Sequence, residues 1–198
     1  IYAWADEPHL YRNKKFLKGF ELLAQYNLSF DAWTYSTQLS DVIALAKQFP
    51  ETSIVLDHLG TPAGLFGAVG KHTGLTKTAR ENIFFHWQED IAEIAPLPNV
   101  YTKMSGLMMP VLGHHFHRKH QLASKEQVFE LVHPLITHAL QSFGRYRVMF
   151  ASNFPMDSVS SSLVNIIDAF SDVVAAYDPD ALEQVLRQNA TQFYRMKS

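Results

Sequence analysis

The apolar run Ile54-Val55-Leu56 ends in Asp57-His58, and a histidine so placed can serve as general base, electrophile or metal ligand. It can equally do no more than bond a neighbouring loop, and position alone does not separate the two readings. Asn153 lies in Phe150-Ala151-Ser152-Asn153-Phe154-Pro155-Met156-Asp157. Its amide can donate to a developing oxyanion or orient water, but it is no base near neutral pH. A turn before a proline-containing loop is its other reading. Asp157 can supply the base or cap the following helix, and the cap is the reading placed first. Lys103, in Val100-Tyr101-Thr102-Lys103-Met104-Ser105-Gly106, sits in a strand too apolar to bury an unpaired ammonium. It either holds an anionic substrate group or forms a structural ion pair with Asp31 or Asp57.

Two further features invite chemistry. The tract Gly113-His114-His115-Phe116-His117-Arg118-Lys119-His120 lacks nearby carboxylates and adjoins basic residues, so a solvated loop is favoured over a metal site. Trp33 and Trp87 are core residues by type, although Trp33 ends a strand and can line a mouth there.

The elements that must position these residues alternate along the chain. Helical spacing runs over Phe16–Tyr26, Leu39–Phe49, Thr78–Ala95, Ser124–Phe143, Ser160–Tyr177 and Pro179–Tyr194. Short β-type runs fall at Leu28–Trp33, Ser53–Leu56, Val100–Met104 and Arg147–Ala151. Ser124 and Gln127 have capping-box spacing, and Gly144 is a natural stop. Gly64–Gly74 and Pro110–Leu122 read as loops. Ile1 to Glu7 reads as a strand end running into a loop, so the chain looks cut at its N-terminus. Four strands each followed by helix imply a parallel α/β sheet, either doubly wound or part of a (β/α)8 barrel. No glycine-rich phosphate loop follows a strand, and His58, Lys103, Ser105 and Asn153 all fall just beyond strand ends, where a barrel gathers its site.

Composition narrows the partners. The 198 residues carry 17 basic and 19 acidic side chains, a net charge of −2, and no cysteine. A disulfide framework, a thiolate metal site and a cysteine nucleophile are excluded. No basic stripe points to nucleic acid, and no stretch reads as a membrane span or signal peptide, so a cytoplasmic location is the default.

Together the segments Leu28–Trp33, Ile54–Pro62, Asn99–Leu107 and Arg147–Pro155, with Trp87 and Leu97-Pro98, resemble the amidohydrolase-related family of the amidohydrolase superfamily. The resemblance covers nearly the whole chain in unbroken segment order. It implies a single domain over 1–198, a (β/α)8 barrel of which strands five to eight with their helices are present, and a first-strand His-x-His pair lying upstream. It also implies a hydrolase of a small carbonyl substrate, a lactone or related cyclic ester. Catalytic roles then fall to His58, Asn153 and Asp157, and substrate binding to Asp31, Trp33, Lys103 and Ser105. A divalent metal such as zinc is implied for the complete protein, with His58 the one ligand kept, although metal-independent chemistry is also compatible. The chain departs from the wider family in Thr34-Tyr35-Ser36-Thr37-Gln38 after strand five, where relatives often carry histidine, and in Asn153, where many carry aspartate. The alternatives are a decarboxylase, or an inactive half barrel whose apolar inner face and two strand edges require a second copy or a separate N-terminal half.

Overall fold

The computed structural model describes residues 9–196, so the reading of Ile1–Glu7 lies outside the described residues. Four strands, β1 (Phe30–Ala32), β2 (Ile54–Leu56), β3 (Val100–Met104) and β4 (Val148–Phe150), form one parallel sheet in the order β1-β2-β3-β4. A doubly wound sheet reverses its strand order at a switch point; this one advances by one strand at a time, as a barrel wall does.

Helices α1 (Lys14–Phe20) and α2 (Leu22–Gln25) precede β1, and α3 (Leu39–Gln48), α4 (Lys77–Ile94) and α5 (Lys125–Phe143) connect the strands. Helix α6 (Leu163–Tyr177) follows β4, and α7 (Asn189–Phe193) closes the described chain. Local chemistry sets the helix starts. Asn13 accepts from the amides of Lys15 and Phe16, Thr76 from Ala79 and Ser162 from Asn165. Ser124 and Gln127 form the expected capping box.

Several expectations are corrected. The first helix breaks at Glu21 into α1 and α2. The helix expected from Ser160 starts at Leu163, because Ser160 and Ser161 are fully buried and their amides bond back to the Asp157 carbonyl. The last expected helix is a 3₁₀ turn at Pro179–Ala181, a π-turn at Gln184–Gln188 and then α7.

Alternation along the strands separates two faces. Ile54, Leu56, Val100, Met104 and Val148 are fully buried in one core with Trp87, Ile91, Val132, Leu135, Ile166 and Phe170 from α4, α5 and α6. The intervening positions, Asp31, Val55, Tyr101, Lys103 and Met149, face the other way and share register rows: Asp31 with Val55 and Tyr101, Lys103 with Met149. This inner face was expected to be apolar and bare. It carries the charged side chains of Asp31 and Lys103, and the residues that end α7 lie on it: the Phe193 ring sits 4.8 Å from that of Tyr101, and Tyr194 reaches Asp31. The outer edges of β1 and β4 have no strand partner among the described residues.

Candidate active site

The chain leaves β2 through an unusual turn. Over Asp57–Gly60 the backbone leaves right-handed geometry, and His58, Leu59 and Gly60 all take positive φ (56°, 50° and 70°). Left-handed backbone is costly for branched or bulky side chains, so other contacts must hold it. Two do so. The buried Trp87 indole donates to the Leu59 carbonyl at 2.7 Å, and Leu39 packs so closely on Gly60 that a Cβ there would stand 2.8 Å from its methyl group. Trp87 is therefore a core residue that fixes the turn carrying His58.

The turn brings His58 to the end of β3. Its Nδ1 lies 2.7 Å from the Ser105 Oγ, and Ser105 is buried. The Trp33 ring meets His58 edge-on at a centroid distance of 5.9 Å. Gly106, at φ +62°, makes room for the imidazole, since a Cβ there would fall 2.6 Å from Nδ1. Burial lowers the His58 pKa; Asp57 opposes that shift and Lys103 adds to it. The ring is thus neutral near pH 7, with Nδ1 engaged and Nε2 left for other chemistry. If Ser105 donates, Nε2 carries the proton and can polarise a carbonyl. If Nδ1 donates, Nε2 has the lone pair of a base or ligand.

Lys103 takes the ion-pair arrangement. Its Nζ lies 3.0 Å from Asp31 Oδ2 and 3.0 Å from Asp57 Oδ1, and the Tyr194 hydroxyl donates to both Asp31 oxygens at 2.9 and 3.0 Å. Burial alone would lower the lysine pKa, but the contacts with Tyr194, Asp57 and Asp31 outweigh it and the net direction is upward. Tyr194 escapes sequence reasoning altogether, because no local pattern links it to a strand 163 residues away. Gly106 had one available signal, a glycine two residues past a strand end.

Asn153 and Asp157 form a second pair. Asn153, also at positive φ (55°), donates from Nδ2 to Asp157 Oδ1 at 2.8 Å, while Asp157 Oδ2 accepts the Met108 amide at 3.4 Å. The helix-cap reading of Asp157 is thereby overturned: Ser162 caps α6, and Asp157 ties the β4 loop to the β3 loop. It is fully buried, and burial raises its carboxyl to about 6, against the lowering effect of the Asn153 and Met108 bonds.

The histidine tract is only half solvated. Arg118–Leu122 is exposed, but Phe116 is buried, His114, His115 and His117 are partly so, and Gly113 abuts Gly67. Burial drops the His114 pKa to about 4, so the ring is neutral.

Zinc catalysis generally takes three protein ligands. Among the described residues no three His, Cys, Asp or Glu side chains gather suitably for a metal. At His58 one ring nitrogen is taken by Ser105 and the neighbouring carboxylates are taken by Lys103. These residues do not by themselves fit a zinc ion. No described helix is long and apolar enough to cross a membrane.

Comparison with known proteins gives a consistent picture. A family model described as amidohydrolase matches residues 3–196. An uncharacterised protein of Sinorhizobium fredii is 28% identical over 194 residues, 98% of this chain and 56% of that protein. An L-fucono-1,5-lactonase of Burkholderia multivorans is 28% identical over 159 residues, 80% of this chain and 48% of that enzyme. The chain thus spans about half the length of the curated relatives it matches. Among solved structures, a zinc-bound amidohydrolase from Burkholderia multivorans superposes with a TM-score of 0.79 at 22% identity, covering 99% of this chain and 63% of the other.

Proposed function

Because the chain belongs to the amidohydrolase family, we propose that it hydrolyses a lactone or related cyclic ester where β2 and β3 end, as the C-terminal part of a (β/α)8 barrel. The observation that carries this reading is the 2.7 Å contact between His58 Nδ1 and Ser105 Oγ, which orients a neutral imidazole with Nε2 available. Water adds to the lactone carbonyl, the ring C–O bond breaks, and a hydroxy acid is released. His58 polarises the carbonyl or positions the water. Trp33 lines the approach to His58, and Asp31 and Lys103 shape the inner face below it. Asn153 gives one amide hydrogen to Asp157 and has a second for the oxyanion. Asp157, with a pKa of about 6, is ionised at neutral pH and takes the proton; its full burial means that the Asn153 loop must open for water to reach it.

His58→Ala in the complete protein tests the assignment. Turnover of aldonolactones, followed by acid release, should vanish; an unchanged kcat/KM would sink it.

The edges of β1 and β4, unpaired among the described residues, favour a companion reading, in which the small-molecule site is completed by further strands from an N-terminal half or a second copy. Sedimentation of the chain alone and mixed with the N-terminal half of a full-length relative separates the cases. A stable, unassociated monomer in both counts against pairing. A decarboxylase gains no support, since the lysine that would hold a substrate carboxylate is already bonded to two aspartates.

A further inference from the structure

Helix α7 is anchored where β4 begins. The buried Asn189 amide donates to the carbonyls of Arg145 and Val148 at 2.7 and 2.6 Å, and Gln184 donates to its Oδ1 at 2.6 Å. Beyond that anchor, Phe193 packs on Tyr101 of β3 and Tyr194 reaches Asp31 of β1. Arg195 Nη1 then donates to the Asn27 carbonyl at 3.0 Å, just before β1. The segment thus crosses the inner face from β4 to β1, and it ends on the ion pairs beside His58.

The Tyr194 hydroxyl straddles the Asp31 carboxylate, 2.9 Å from Oδ1 and 3.0 Å from Oδ2. One O–H donor shared between two oxygens lies on the midline of the carboxylate and fixes its plane. Without that bond the Asp31 side chain, 42% exposed, would turn to water. Lys103 divides its ammonium evenly between Asp31 and Asp57, at 3.0 Å each. A lysine is a point charge on a flexible stem, and it sits where its anions put it. With Asp31 released, the ammonium moves onto Asp57, whose side chain is as little exposed as its own, at 17%. Asp57 opens the left-handed turn and directly precedes His58, so a shift of Asp57 is a shift of the imidazole against Ser105.

We propose that Tyr194 is a positioning residue for His58, acting through Asp31, Lys103 and Asp57. Its hydroxyl keeps the ammonium centred between the two carboxylates, and the centred ammonium holds the turn where the imidazole meets Ser105. Tyr194 takes no part in the bond changes. The inference rests on the reading of His58 as the reacting group, but its first readout needs no substrate.

Tyr194→Phe removes the hydroxyl and keeps the ring that packs 4.9 Å from that of Phe193. In the complete protein the ¹H–¹⁵N resonances of the His58 ring should move. A misplacement of about 1 Å at a reacting group can cost on the order of a hundredfold, so a partial one should lower kcat roughly tenfold and leave KM unchanged. Asp31→Asn should move the same ring resonances, and Tyr194→Phe added to it should move them no further, because the two lie on one chain of contacts. Arg195→Ala removes the neighbouring bond to Asn27, leaves the ion pairs intact, and should leave the His58 ring where it is. Unmoved ring resonances in Tyr194→Phe overturn the proposal. So do additive shifts in the double variant, a loss carried by KM, or an equal movement in Arg195→Ala, which would assign the effect to docking of the whole segment. Should Tyr194→Phe fold poorly, Asp31→Asn decides alone, an unmoved His58 ring being the adverse result. Survival of turnover in His58→Ala would remove the hydrolase reading and leave the ring shifts as they are.

Discussion

Lys103 Nζ stands 3.0 Å from Asp57 Oδ1, so the residue immediately before His58 is held by a cation from the neighbouring strand. The contact follows from register. Leu56 lies opposite Thr102, which puts Asp57 and Lys103 in the next row on the same face. His58 is therefore anchored twice to β3, through its own ring on Ser105 and through its predecessor on Lys103.

Lys103→Met should lower stability by about 3 kcal/mol, because it strands two carboxylates that share one partner. Urea unfolding at pH 7 measures this. The triple variant Lys103→Met/Asp31→Asn/Asp57→Asn should recover much of the loss, and an equally unstable triple variant would show that the charges are not its source.

Asp157 makes a pH prediction with a definite sign. Its folded pKa, about 6, lies above that of an ordinary aspartate, about 4, so between these values the native state binds the extra proton. Stability then falls as pH rises from about 4 to 6 and levels off above, by up to about 3 kcal/mol from this group. Asp157→Asn should flatten that segment of the stability curve. An unaltered slope between pH 4 and 6 would assign the titration to another group.

Gly106→Ala places a methyl group against the His58 ring and forces alanine to φ +62°. The backbone conformation alone costs about 1–2 kcal/mol. The His58 side-chain resonances should move in ¹H–¹⁵N spectra of the ring, and turnover in the complete protein should drop at least tenfold. Unmoved resonances would mean that the glycine is not what admits the imidazole.

Trp87→Phe keeps most of the core volume but leaves the buried Leu59 carbonyl without its indole donor. The expected loss is about 1–3 kcal/mol. Faster amide exchange should be confined to the 57–61 turn and its contacts; a change spread evenly over the sheet would argue for simple loss of packing.

Much of the scaffold is written locally. Helical spacing, the Ser124–Gln127 box, Gly144 and the β-branched run at Ile54–Leu56 act within a few residues of themselves, and all four strands and the three connecting helices lie where those signals put them. Chain order also makes His58, Ser105 and Asn153 fall just past strand ends, since each sits a fixed few residues beyond an apolar run. The misreadings share a physical cause. Asp157 has the residue type of a helix cap, but Ser162 takes that position and burial turns Asp157 toward Asn153 and Met108. The histidine tract has the composition of a solvated loop, but Gly67 and Gly113 let half of it pack. That Lys103 meets two aspartates follows from the register of β1, β2 and β3, and Tyr194 joins Asp31 because the residues just after α7 lie over the inner face. Local propensity acts over three or four residues, whereas these contacts bridge 72 and 163, so only close approach in the folded chain decides which charges pair.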